Sequence, residues 1–226
     1  MQTTFFVTGI NTEIGKTIAS AILTQAIGAD YWKPIQTGRL HHTDSDRIRA
    51  YVTHDQTIVH PEQFKLTQHN TPNAAAKTDG VKIKVKDFTL PKTKNSLIIE
   101  GTGGLLVPLN KKECLIDLIN RFGAAAILVS MNYTGSINHT LLSIEALKNR
   151  KIPIAGILFN GKPTAGTEDI ITKMAEVPIL GRIPRLNDIT KTSIKNAAEE
   201  MQLKQRLSQY SNPRKGKKLL NFFSTF

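Results

Sequence analysis

Gly9 to Thr17, Gly-Ile-Asn-Thr-Glu-Ile-Gly-Lys-Thr, carries the chain's clearest chemical signal. The spacing is Gly, four residues, Gly-Lys-Thr, which suits binding of a phosphate chain. Gly9 and Gly15 permit a tight turn whose backbone N–H groups face inward, and a following helix adds the positive end of its dipole. Lys16 can reach β- and γ-phosphates, and the Thr17 hydroxyl can ligate Mg²⁺. The whole loop, with Asn11, Thr12, Glu13 and Ile14 as its inner residues, is therefore expected to hold a nucleoside triphosphate. A ligand-free strand-to-helix turn would have no need for the Lys-Thr pair.

Other residues fit the same chemistry. Glu100 closes the apolar run Ser-Leu-Ile-Ile and precedes Gly101-Thr-Gly-Gly104. A carboxylate at a strand tip beside the phosphate strand is suited to Mg²⁺, and Gly103 to close approach of a ligand. In His-Thr-Asp-Ser-Asp-Arg-Ile, Asp44 and Asp46 are a second acidic source. One of the two is expected to cap a helix and the other to face the metal. Lys33 opens Lys-Pro-Ile-Gln-Thr-Gly at the end of a short strand and reads as an anion or substrate grip. Asn160, after Ile-Ala-Gly-Ile-Leu-Phe, has an amide suited to reading adenine. The segment Gly-Arg-Ile-Pro-Arg-Leu, with Ile183, Pro184 and Arg185, ends another strand at the edge where a base would lie. His41, His42, His139 and Cys114 lack metal-ligand spacing.

The elements that must position these residues alternate between strand and helix. Thr3–Thr8, Tyr31–Lys33, 96–100, 124–131, 154–159 and 179–183 read as strands. Helices are expected from Thr17 to Ile27, from Thr43 or Asp44 to about Tyr51, over 137–149 and over 189–210. Residues 60–93 are polar, are broken by Pro61, Pro72 and Pro91, and give no clear pattern beyond a helix start near Ala74. This alternation predicts an α/β fold of the P-loop NTPase type, in three layers, with a mostly parallel central sheet covered by helices on both faces. With 226 residues, one domain over residues 1–226 is expected, residues 211–226 forming a basic tail.

The net charge of +12 is read as serving anionic ligands, because no nucleic-acid motif accompanies it. No apolar stretch approaches the ~18–20 residues of a membrane span, and the first residues lack a signal-peptide pattern. One cysteine rules out an internal disulfide. A cytoplasmic protein without nucleic-acid or membrane partners is the expectation.

Taken in order, GINTEIGKT, KPIQTG, the Ser45-Asp46 pair, EGTGGLLVPL, GSINHTLL, a strand ending in Asn160 and GRIPRL resemble the dethiobiotin synthetases, from Thr3 to about Leu186. The resemblance implies an ATP- and Mg²⁺-dependent ligase that turns 7,8-diaminononanoate and CO₂ or bicarbonate into a cyclic urea. It implies that Lys16 and Thr17 hold phosphates and metal, and that Asp46 and Glu100 complete the metal site. Lys33 would hold a substrate carbamate, with Thr37, Thr12 and Glu13 bordering substrate and phosphate. It further implies a homodimer in which Gly135 and Asn138 reach the partner's substrate. Thr102 stands where the family pattern has alanine.

Two other readings share the phosphate loop. A partition or septum-site ATPase would bind DNA or membrane, but its loop pattern has a lysine where this chain has Ile10. A cobyrinate amide synthetase-like ligase generally carries a further glutaminase domain. A GTP switch would want an Asn-Lys-x-Asp stretch, which the chain lacks.

Overall fold

The computed structural model describes residues 2–211. The first strand, β1 (Thr4–Gly9), alternates its side chains across two layers. Phe5 and Val7 enter one core and Phe6 the other. Both faces of such a strand are apolar because both are covered, as in parallel sheets generally.

In chain order there follow α1 (Lys16–Ile27), β2 (Asp30–Trp32), β3 (Ile35–Thr37), α2 (Asp44–Tyr51), β4 (Val59–His60), β5 (Phe64–Leu66) and α3 (Pro72–Thr78). Then come β6 (Leu97–Gly104), α4 (Leu115–Phe122), β7 (Ala125–Met131), α5 (Ser136–Asn149), β8 (Ile154–Asn160) and α6 (Thr167–Ala175). The last described elements are β9 (Ile179–Arg182), α7 (Lys191–Glu200) and α8 (Leu203–Leu207), ahead of a short 3-10 turn. Seven strands form a parallel sheet in the order β4-β2-β6-β1-β7-β8-β9, and β3 and β5 form a small parallel pair beside it. Helices α1, α2, α7 and α8 supply residues to the core with Phe5, and α4, α5 and α6 supply the opposite layer. The expected three-layer α/β architecture of the P-loop type is what forms. The strand order turns outward on both sides of β1, so β1, β2 and β6 deliver their C-terminal ends to one crevice.

Four local expectations are corrected. The strand read as ending at Glu100 continues to Gly104, with a register shift opposite Val7–Gly9. Glycines allow this bulge: Gly103 has φ +78°, and a Cβ on Gly101 would lie 2.7 Å from the Phe6 ring. The helix read over 189–210 breaks at Gln202, whose φ is +49°, giving α7 and α8. Helices α4 and α6 were not anticipated, and the unreadable stretch 60–93 holds β4, β5, α3 and a 3-10 turn. The expected basic tail falls almost wholly outside the described residues. Among these, no helix is long and apolar enough to cross a membrane.

Candidate functional site

The phosphate loop joins β1 to α1. Gly15 sits at the start of α1 with φ +90° and offers no side-chain cap, so the helix's first N–H groups remain open to an anion. A Cβ on Gly15 would lie 2.2 Å from Asn160 Nδ2, so only glycine fits there. Ile14 is buried and anchors the loop, while Asn11, Thr12 and Glu13 are exposed on its rim. Glu13 adopts φ +55° and makes an exposed ion pair with Arg39 at 3.8 Å. The Asn11 Oδ1 accepts from Thr12 N at 2.8 Å, and Lys16 Nζ donates to Asn11 O at 2.9 Å. Lys16 is therefore folded back over the loop. Burial pushes its pKa down to about 8, against the attraction of Glu100.

Beside the loop lies a buried ionic cluster. Lys33, just past the end of β2, donates to Asp44 Oδ2 and to Glu100 Oε1, the latter at 3.0 Å. Its side chain is 6% exposed and that of Glu100 1%. Burial works to lower the Lys33 pKa, but Glu100 and Asp44 outweigh it and the net shift is upward. Glu100 Oε1 also accepts from Thr17 Oγ1 at 2.9 Å, and its Oε2 accepts from the hydroxyl of wholly buried Tyr31 at 2.9 Å. Burial raises the Tyr31 pKa well above the usual phenol value, and the Glu100 charge adds to the effect. For Asp44, burial pulls upward, but Lys33 with Arg47 and the Thr17 hydroxyl holds the carboxyl below its usual range.

Asp46, which the resemblance puts in the metal site, does not face the cluster in this structure. Asp46 is the third residue of α2 and closes a capping box: its Oδ2 accepts from Thr43 N at 2.9 Å and from Thr43 Oγ1 at 3.0 Å. Its other oxygen pairs with Arg49 at 2.8 Å. Asp44 is the acid that faces Lys33, Thr17 and Glu100. Residues two apart in a helix point some 200° apart, so one acid caps and the other looks into the crevice.

Thr17, Glu100 and Asp44 present only oxygen donors: one hydroxyl and two carboxylates. That set suits a hard cation such as Mg²⁺, which takes few protein ligands and fills its shell with water and phosphate. Among the described residues there is no group of three or more His, Cys, Asp or Glu disposed to hold a metal. The donor set therefore fits Mg²⁺ with a nucleotide rather than a closed all-protein metal cage.

Gln36 Oε1 accepts from Asp44 N at 3.4 Å, and Thr37 is buried on β3 against β5. Thr102 donates to Ile35 O at 2.7 Å and so fastens β3 to β6. That bond gives a use to the hydroxyl where the family pattern has alanine. A Cβ on Gly103 would lie 2.7 Å from Val107 and 3.7 Å from Thr12. Glu62 was missed by the sequence reading. Its side chain is 2% exposed, beside Ser45 and Thr43 at the start of α2.

On the other side of the loop, a cavity of about 450 Å³ is lined by Ile18, Asn160, Pro163, Ile183, Pro184, Arg185 and Ile189 among others. Asn160 Nδ2 donates to Ile14 O and its Oδ1 accepts from Gly161 N, both at 2.9 Å. The amide thus ties the cavity to the phosphate loop and keeps one N–H for a base. Gly135 and Asn138 line a separate cavity of about 780 Å³, with Tyr133, Leu141 and Met174. Within one chain they are not part of the Lys33 cluster.

A family model described as an AAA domain matches residues 3–193. The ATP-dependent dethiobiotin synthetase BioD of Christiangramia forsetii is 45% identical over 200 residues, which cover 88% of this chain and 96% of the relative. The protein of the same name from Cytophaga hutchinsonii is 48% identical over 188 residues, covering 83% and 91%. Among solved structures, the cell division ATPase MinD of Pyrococcus furiosus superposes with a TM-score of 0.57 at 19% identity, covering 93% of this chain and all of the other. A ParA-family ATPase from Chlorobium tepidum gives 0.52 at 14%, covering 93% and 97%. At such identities the two ATPases share the fold alone with this chain.

Proposed function

The chain belongs to the dethiobiotin synthetases, ATP-dependent ligases of biotin synthesis, and on that premise we propose that it closes 7,8-diaminononanoate and CO₂ into the cyclic urea dethiobiotin. One amine of the substrate captures CO₂ as a carbamate. The carbamate oxygen attacks the γ-phosphate of ATP and gives a carbamic-phosphoric anhydride with release of ADP. The second amine attacks the carbonyl carbon, and phosphate leaves.

The observation that carries this reading is the bonding of Lys33. Its ammonium has three N–H donors. Asp44 and Glu100 take two of them. The third is left for an anion in the crevice, and the raised pKa keeps the group charged at neutral pH. A carbamate is such an anion. Lys16 would turn from Asn11 O to the phosphates, and the open start of α1 would hold them. Thr17, Asp44 and Glu100 would hold Mg²⁺, which supplies neutralising charge to the transferring phosphoryl group. The residues thus supply positions and charges, and no covalent enzyme intermediate is needed. Thr12, Glu13 and Thr37 are assigned to the rim of the substrate site. The cavity with Ile183, Pro184 and Arg185 is assigned to the base.

Exposed Met174 on α6 lines the cavity with Gly135 and Asn138, and Leu142 on α5 and Ile170 on α6 are exposed apolar side chains of the same two helices. We assign that face to a homodimer in which Asn138 reaches the partner's substrate. The protein is assigned to the cytoplasm and is read as one P-loop domain, with no nucleic-acid or membrane partner. The test is ATP consumption by purified protein, expected only when diaminononanoate, bicarbonate and Mg²⁺ are all present. Turnover stimulated instead by DNA or lipid vesicles would overturn it.

A further inference from the structure

Strand β2 sends two side chains to one carboxylate. Tyr31 and Lys33 are two residues apart, so an extended backbone points both to the same face of the sheet. Trp32, between them, packs in the opposite core. Lys33 takes Glu100 Oε1 at 3.0 Å, and Tyr31 takes Oε2 at 2.9 Å. The Thr17 hydroxyl shares Oε1 at 2.9 Å. The far oxygen of Glu100 is thus held by a neutral donor from behind, while the near oxygen faces the phosphate loop.

We propose that Tyr31 is a positioning residue that fixes the rotation of the Glu100 carboxylate so that Oε1 is presented to Mg²⁺ beside Thr17. This rests on the Mg²⁺ reading of the site given above. Two observations set Tyr31 apart from an ordinary core tyrosine. It is wholly buried, so water cannot satisfy its hydroxyl or replace it on Glu100. Glu100 is itself 1% exposed, and Oε2 has no other hydrogen-bond donor among the described residues. Without the phenol, the carboxylate keeps both bonds on Oε1 and is free to turn about its last torsion, which is broad for a glutamate. Hydrogen bonds that orient a ligating carboxylate typically govern metal affinity by about ten- to a hundredfold.

The variant is Tyr31→Phe, which keeps the ring in the core and removes one oxygen. ADP binding is measured by calorimetry without metal and again with saturating Mg²⁺. In the unaltered chain Mg²⁺ should tighten ADP binding. In Tyr31→Phe the metal-free affinity should stay within about twofold, since the phosphate loop is untouched, while the Mg²⁺-dependent gain should shrink about tenfold. In turnover, half-saturation by Mg²⁺ should rise by the same factor with the diaminononanoate KM unchanged. A general loosening of the core would weaken metal-free binding too. An unchanged Mg²⁺ gain in Tyr31→Phe overturns the inference, and so does an equal loss with and without metal. An unaltered chain that shows no Mg²⁺ gain brings down the metal reading itself, and the inference with it.

If Tyr31→Phe does not fold, a second measurement keeps the ring hydroxyl. With Tyr51, Tyr133 and Tyr210 replaced by phenylalanine, Tyr31 is the sole tyrosine and is labelled with carbon-13 at Cζ. Its resonance should shift when Mg²⁺ is added to the ADP complex. A resonance blind to Mg²⁺ overturns the proposal.

Discussion

Asp44→Asn and Asp46→Asn, made separately, put the proposed division of roles in the acidic pair to a direct test. Both changes keep side-chain volume and remove one negative charge, two residues apart in the same helical turn. Asp44 faces Lys33 and Thr17, with its side chain 20% exposed. Asp46 is 43% exposed and spends its oxygens on Thr43 and Arg49. A unit charge about 4 Å from a divalent cation contributes about 8 kcal/mol at an effective dielectric of about 20. Water and the remaining Glu100 carboxylate soften that, and a quarter of it leaves about 2 kcal/mol, or about thirtyfold in affinity. Asp44→Asn should therefore raise the Mg²⁺ concentration for half-maximal ADP release about thirtyfold. Asp46→Asn should leave it within about twofold and instead weaken the capping box. That costs about 1 kcal/mol and lowers the melting temperature by about 3 °C. The assay is coupled ADP release against free Mg²⁺ at fixed ATP, with a thermal melt of each variant. If Asp46→Asn moves the Mg²⁺ midpoint more than Asp44→Asn does, the assignment of Asp44 is wrong.

Three further outcomes are expected. Lys33→Ala should reduce dethiobiotin formation about a hundredfold or more, as removal of a buried charge donor does, while calorimetric ADP affinity changes far less; undiminished formation would remove Lys33 from the site. Asp30 is fully buried and accepts from Ile58 N, Asn95, His60 and Thr93. Burial alone would raise its pKa, but those bonds lower it below the usual value. A depressed carboxyl contributes stability that is present above its unfolded value of about 3.8 and is lost as pH falls through the folded value. Asp30→Asn should cost about 2–3 kcal/mol in urea unfolding at pH 7, and the gap should close below about pH 4; a gap independent of pH would refute the linkage. Met174→Asp, at an exposed apolar position beside Gly135 and Asn138, should shift the sedimentation profile toward monomer and depress turnover. An unchanged profile would move the subunit contact elsewhere.

The sheet was legible because its strands are short apolar runs closed by glycine, proline or a polar tip, and the phosphate loop because its spacing is itself geometry. Asp44 and Asp46 were not separated, although the signal was present. Thr43-x-x-Asp46 is a capping box with aspartate at its third helical position, and reading it as such frees Asp44 for the crevice. Tyr31 was passed over because a tyrosine in an apolar strand reads as core. Its alternation with Lys33 was the available hint. Helix α4 begins at Cys114, which does not look like a cap residue in sequence although Asp117 bonds back to its N–H at 2.8 Å. The pairing of Lys33 with Glu100 joins residues 67 apart, and no local pattern reports such a contact.

MinD and the ParA-family ATPase share a fold with this chain, and the phosphate loop is where the partition-type sequence pattern departs from it. The partition-type loop pattern carries a lysine at the position of Ile10. Here Ile10 donates its N–H to Val129 O at 3.1 Å and packs its side chain against the apolar cores around β7. The rim of the loop has no cation at that place. The second positive charge of the site comes instead from just past β2, two strands away in the sheet, as Lys33, and buried Glu100 with half-buried Asp44 holds it still. A lysine on a loop can swing toward whatever approaches, including another molecule's nucleotide. One locked between Asp44 and Glu100 can serve only an anion brought into the crevice. With Lys16 and Lys33 against Asp44 and Glu100 the cluster is charge-balanced, which limits the cost of keeping four ionisable groups at the sheet edge. Each charge then has its counterpart in the proposed ligands: phosphates for Lys16, a carbamate for Lys33 and a divalent cation for the two acids. Such an arrangement suits an ATP-dependent ligase, in which the energy of the nucleotide goes into a new bond.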